Sequence, residues 1–163
     1  MPEQFHEIVR TYGGYVYTIT FRMLGNTADA EDAAQETFIK AYRRLSDYDS
    51  SRGMKNWLCT IALNTARDFY RKSKRGGIRQ TGIETDEIAD NREESAAALD
   101  RIDIARMLSK LDIRYRSVVI LFYMEHYSIH EISTMLKKSE NVVKVWLHRA
   151  RKTLLEQYGE SIV

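Results

Sequence analysis

The sequence predicts an all-α protein of two small helical domains joined by a flexible linker. Three observations carry this. The 163 residues contain one proline, Pro2, and eight glycines, so little interrupts long helices. Apolar residues recur at helical spacing through most of the chain. The recurrence fails over residues 76–94, where the composition changes as well. The expected domains are therefore residues 1–75 and 95–163, with 76–94 as the linker.

The first helix is expected over Glu3–Leu24, on a stripe of Phe5, Ile8, Val9, Tyr12, Val16, Ile19 and Met23. Gly13 and Gly14 weaken it by about 1 kcal/mol each against alanine. Gly25-Asn26 ends it. Thr27 is the expected N-cap of the next helix, and Asp29, Glu31 and Asp32 suit its positive end. That helix runs to about Leu45, with Ala34, Phe38, Ala41 and Leu45 inward. Residues 46–53 (SDYDSSRG) read as a loop. A third helix over residues 54–74 faces Leu58, Ile61, Ala62, Thr65 and Phe69 inward and lines up Asn64, Arg67, Arg71 and Lys74 on another side.

The linker opens with Gly76-Gly77 and Arg79, then turns acidic through Glu84, Asp86, Glu87, Asp90, Glu93 and Glu94. Such a segment buries too little to fold and reads as a solvated tether. An acidic strand beside basic domains also has the charge to mimic nucleic acid in a cationic channel. Beyond it, Leu99, Ile102 and Ala105 begin a second helical domain, and residues 113–124 form a further helix.

Residues 128–155 (SIHEISTMLKKSENVVKVWLHRARKTLL) are the most informative stretch. Ser128 and Glu131 make a capping box, and Ile129, Ile132 and Leu136 follow at helical spacing. Ser139 is a good N-cap for a second helix, with Glu140 in its first turn. Val143, Leu147, Ala150 and Leu154 form its core side; Asn141, Lys144, Val145, His148, Arg149, Arg151 and Lys152 form the other. Two short helices on a tight turn, the second basic on its outer side, make a helix-turn-helix suited to DNA. Asn and Arg can bond base edges, and Lys and Arg neutralise phosphates.

The bulk numbers limit other classes. A formal charge of +2 does not fit a nonspecific nucleic-acid coat. The lone Cys59 excludes an internal disulfide and a cysteine-rich zinc site, and fits a reducing compartment. No apolar run is long enough for a membrane, and the residues after Met1 do not resemble a signal peptide. A cytoplasmic protein without direct membrane insertion is expected. The four histidines are scattered, with no zinc-protease spacing, P-loop or GxGxxG, so neither enzyme, metal site nor cofactor is expected.

Specific words narrow the function. DAEDAAQETFIKAYR from Asp29, WLCTIALN from Trp57 and DFYRK from Asp68 closely resemble domain 2 of the bacterial extracytoplasmic-function (group 4) sigma factors. LHRARKTL from Leu147 resembles the end of their domain 4. The resemblance spans nearly the whole chain in the family's order. It implies a dissociable RNA polymerase subunit that directs promoter recognition, DNA melting and initiation for a stress regulon, with no chemistry of its own. The other reading is a helix-turn-helix regulator that binds duplex operator DNA without polymerase. It lacks support in residues 1–74, which show neither alternating strands nor a phosphoacceptor pattern.

The resemblance also assigns residues. Asp32, Gln35, Glu36, Ile39 and Arg43 would dock on the clamp helices of the largest polymerase subunit; the flap of the second-largest is a further expected partner. Tyr48, Met54 and Asn64 would line or flank a pocket for an extruded base of the minus-ten element, where a ring stacks and an amide reads an edge. Arg67, Arg71, Lys72, Lys74 and Arg75 would bind phosphate near the upstream edge of the bubble. Trp57 is expected in the core. In domain 4, Lys144, Val145, His148 and Arg149, with Asn141, would face the minus-thirty-five element, and Lys137 and Lys138 its phosphates. An anti-sigma factor is the implied regulator. The turn departs from the family pattern LGxxxGTVKSR: Lys137 replaces glycine and is expected in a left-handed conformation. Val145 replaces serine, and Trp146 replaces a basic residue.

Overall fold

The computed structural model describes residues 3–76 and 95–159, and every regular element among them is helical. The chain divides into two compact units, Met1–Glu87 and Ile88–Val163. Most of the expected linker, and with it the acidic run, lies outside the described residues.

The first unit packs α1 (Glu3–Leu24), α2 (Thr27–Arg43) and α3 (Met54–Gly76) against one another. Phe5, Val16, Ile19 and Met23 of α1 meet Ala30, Ala33 and Ala41 of α2 and Leu58, Ala62, Leu63 and Ala66 of α3, all fully buried. The alanines let α2 lie close to both neighbours. Gly13 and Gly14 do not break α1; packing on both sides of the pair holds it, and a Cβ at either would meet open space.

Two expectations for α2 change. Its N-cap is Asn26, not Thr27: the Asn26 side chain accepts from the Asp29 N–H at 2.8 Å and donates to the Asp29 carboxylate at 3.0 Å. Gly25, at φ 78, turns the chain so sharply that the cap falls one residue early. The buried stripe is Ala30, Ala33, Thr37 and Ala41, rotated from the expected one. Thr37 satisfies its hydroxyl on the Ala33 carbonyl, 2.7 Å away, and so packs as a small apolar residue. Phe38 sits at the edge of the core, edge-on to Phe5.

The second unit holds α4 (Ser95–Ser109), α5 (Ile113–Val119), α6 (Ile129–Leu136) and α7 (Glu140–Tyr158). Side chains of Leu99 and Ile102 fall outside the described set. Asp112 caps α5 by accepting from the Arg114 N–H at 3.0 Å. The expected helix over residues 113–124 is α-helical only to Val119. It continues as a π turn, Ile120–Met124, closed by the Glu125 N–H on the Ile120 carbonyl at 2.9 Å. The wider turn keeps Ile120 and Leu121 both fully buried while Tyr123 stands exposed. Val118, Ile132, Leu136, Val143, Leu147 and Ala150 complete the core under α6 and α7.

Candidate nucleic-acid interface

The helix-turn-helix forms as its caps require. In the capping box the Glu131 N–H donates to Ser128 Oγ at 3.1 Å, and the Ser128 N–H donates to Glu131 Oε1 at 3.0 Å. These bonds, with charge from His130, hold the Glu131 carboxyl below its ordinary range. Lys137 ends α6 in the left-handed region, φ 55 and ψ 45, at a cost of about 1–2 kcal/mol for a residue with a Cβ. Two residues on, Ser139 accepts from the Val142 N–H at 3.2 Å and starts α7.

Asn141, Lys144, Val145, His148 and Arg149 are all exposed on α7, and Lys137 and Lys138 are exposed on the turn before it. Val145, 44 % exposed, is the apolar member of the set. Opposite them, Val143, Leu147, Ala150 and Leu154 are buried. Trp146 is buried with them, 8 % exposed.

Aromatic rings hold several of these cations. Arg149 donates to the Tyr115 hydroxyl at 3.3 Å, and Arg151 Nε to the Tyr123 hydroxyl at 2.6 Å. The Arg114 guanidinium lies 5.2 Å from the Tyr115 ring centre and 5.9 Å from that of Trp146, and Lys138 Nζ lies 5.9 Å from the same Trp146 ring. Each such contact contributes about 0.5–1 kcal/mol at an exposed site. Asp112 Oδ1 also accepts from Arg114 Nε at 2.9 Å; that bond and the carboxylate charge push the Arg114 pKa further up. Sequence reasoning missed Arg114 and Tyr115. Asp112 and Tyr115 are local partners of Arg114, but the contacts to Trp146 and Arg149 span some thirty residues, beyond the reach of any local pattern.

In the first unit, residues 46–53 are more ordered than a plain loop. Two 3₁₀ turns, Leu45–Asp47 and Ser50–Arg52, frame Tyr48, and Gly53 at φ 80 leads into α3. Asp49 accepts from the Ser51 N–H at 3.0 Å, which lowers its pKa. The Tyr48 ring lies 5.1 Å from that of Trp57. Trp57 is thus half-buried at this turn and not in the core. Met54, also half-buried, opens α3 on the same side of the loop. Asn64 is exposed ten residues further along the helix, a rise of about 15 Å from Met54.

Asn64 joins Arg67, Arg71 and Lys74, which recur at helical steps down one face of α3. Arg71, Lys72 and Lys74 are exposed. Arg67 is half-buried, and burial followed by repulsion from Arg71 lowers its pKa. The Asp68 carboxylate lies 3.7 Å from both Arg71 and Lys40, and Lys74 Nζ lies 5.8 Å from the Tyr70 ring centre. The side chain of Arg75 falls outside the described residues.

Asp32, Gln35, Ile39 and Arg43 are exposed on one face of α2, with Glu36 half-buried beside them. Ile39 and Tyr42, 44 % and 42 % exposed, add apolar surface. A shallow groove of about 540 Å³ between α1 and α2 adjoins this face, lined by Phe5, His6, Val9, Arg10, Gln35, Phe38 and Ile39. Exposed apolar groups with a polar rim suit a protein interface. Among the described residues no side-chain cluster could hold a metal ion, and no helix is long and apolar enough to cross a membrane.

Comparison with known proteins agrees with both units. The sigma-70 region 2 family matches residues 8–76, and the sigma-70 region 4 family matches residues 101–154. The ECF RNA polymerase sigma factor SigW of Bacillus subtilis is 33 % identical, over 95 % of this chain and 89 % of its own. SigM of the same organism is 32 % identical over 96 % of each. Among solved structures, CnrH in complex with the cytosolic domain of CnrY is 27 % identical, with a TM-score of 0.68 over 96 % of this chain and 88 % of its own. The Bartonella quintana sigma factor RpoE, solved with the anti-sigma factor NepR, shares the fold at a TM-score of 0.76 and 21 % identity, over 98 % of this chain and 99 % of its own. The chain belongs to the ECF sigma factors of the sigma-70 family.

Proposed function

We propose that this sigma factor binds core RNA polymerase through the α2 face and directs it to two-part promoters. Asp32, Gln35, Glu36, Ile39 and Arg43 dock on the polymerase clamp. Tyr48 and Met54 receive an extruded minus-ten base, with Trp57 as the second ring of that platform. Asn64, Arg67, Arg71, Lys72, Lys74 and Arg75 track the strand along α3. Lys137, Lys138, Asn141, Lys144, Val145, His148 and Arg149 meet the minus-thirty-five duplex. The protein acts in the cytoplasm as a non-catalytic initiation factor, with residues 1–75 and 95–163 as its domains 2 and 4.

The observation that carries this reading is the capped helix-turn-helix, which exposes all seven expected duplex-facing residues while burying the opposite side of α7. CnrH is solved in complex with the cytosolic domain of CnrY, and a protein partner that covers this sigma factor, an anti-sigma factor, is proposed here. The test is capture of core polymerase by the chain, followed by run-off transcription from a random promoter library. Stable binding and selection of one two-part promoter is the expected result. Tight binding to duplex DNA with no polymerase binding would instead make the protein an operator-binding regulator.

A further inference from the structure

Three cations from three elements gather along one edge of the helix-turn-helix. Lys138 comes from the turn, Arg149 from α7, and Arg114 from the first turn of α5. Two rings alternate with them. Trp146 lies between Lys138 and Arg114, 5.9 Å from each, and Tyr115 lies between Arg114 and Arg149. A ring fixes a cation without adding an opposite full charge. Asp112 anchors Arg114 through Nε, at 2.9 Å, yet a guanidinium carries five N–H donors. The Arg114 side chain remains 52 % exposed. Trp146 is packed in the core of the unit and cannot swing away, so the positions of Lys138 and Arg114 are set before any ligand arrives. Asp112 offsets part of the Arg114 charge, and the N–H donors it leaves open are free for a phosphodiester.

Resting on the reading that α7 meets promoter duplex, we infer that Arg114 is a further phosphate-contacting residue of that surface, outside the helix-turn-helix, and that Trp146 and Tyr115 position it. The contact is to the DNA backbone and carries no base preference. It also accounts for the aromatic residue at 146, where a basic residue is the family's pattern: charge at that point of the surface comes from α5 and is held by the ring.

The test uses the full chain assembled with core polymerase, on a labelled duplex bearing the selected minus-thirty-five element, titrated with salt. Arg114→Gln should make the slope of log affinity against log salt shallower by about 0.9, alike on matched and altered elements. Arg114→Lys should restore the slope. Trp146→Leu keeps the position apolar and keeps every charge but removes the ring; in a folded variant it should weaken binding severalfold, and full affinity would remove the positioning role. An unchanged slope in Arg114→Gln, with Arg149→Ala still weakened, overturns the inference and leaves the α7 reading standing. Loss of base selectivity in Arg114→Gln without a change of slope overturns it too. If Arg149→Ala loses nothing either, the α7 reading itself falls.

Discussion

The two units hold their basic residues differently. On α3, Asp68 stands between Arg71 and Lys40, 3.7 Å from each. On the outer side of the second unit, Arg149 and Arg151 meet tyrosine hydroxyls, and Lys138 meets the Trp146 ring. A carboxylate orients a cation and cancels part of its field. A ring orients it and leaves the net charge intact. Arg114 combines the two, bonded to Asp112 at 2.9 Å beside the Tyr115 and Trp146 rings; the cations of the turn and α7 keep their charge, as the proposed contact with a duplex requires. The middle of α3 is held closer to neutral, while near its two ends, where Lys55 lies over Tyr15 and Lys74 over Tyr70, it adopts the second pattern. The turns differ as well. The first unit bends at Gly25 and Gly53, φ 78 and 80, whereas the second bends at His126 and Lys137, φ 61 and 55. It accepts strain where the first avoids it.

The largest expected effect tests the ring-held surface. Arg149→Ala should weaken minus-thirty-five recognition by about 1–3 kcal/mol, read as lost discrimination between matched and altered elements. Unchanged selectivity would mean that α7 presents another side to DNA. Next comes the α2 face: Asp32→Ala combined with Gln35→Ala should weaken core-polymerase binding by about 1–2 kcal/mol in a competition assay, the scale of moderate interface positions. Equal affinity would move the dock elsewhere. Lys137→Gly should raise the stability of the second unit by about 1 kcal/mol in thermal unfolding, by removing a left-handed Cβ. A lower melting point would show that the lysine side chain contributes more than its backbone costs. The smallest effect tests the carboxylate-held pattern. Asp68→Asn should strengthen binding to a melted promoter fork by less than about 1 kcal/mol, with a steeper salt dependence. Weaker binding would make Asp68 an organiser of α3 and not a brake on its charge.

Much of this was legible in the chain. The helix-turn-helix could be read because caps and apolar spacing are local: Ser128, Glu131 and Ser139 do in the structure what their neighbours in sequence imply. The seven exposed residues of the turn and α7 follow from that phase. The tryptophans could not be read. Trp57 was expected in the core and stands half-buried against Tyr48; Trp146 is in the core with cations on its ring. Both outcomes depend on residues from other elements. The cap at Asn26 was missed because the positive φ of Gly25 shortens the turn. The inward stripe of α2 was missed because Thr37 hides its hydroxyl in its own helix, which lets a polar residue take a core position.

The π turn at Ile120–Met124 has a consequence for chain length. It carries one residue more than an α-helical path between the same points. Deleting one residue there would let α5 run on as a regular helix to the same end point, so the later side chains would keep their direction. Only side chains within the turn would be redirected, among them Tyr123, whose hydroxyl accepts from Arg151. The segment is therefore a place where a single-residue deletion acts locally, although nothing in its apolar composition, ILFYM, marks it.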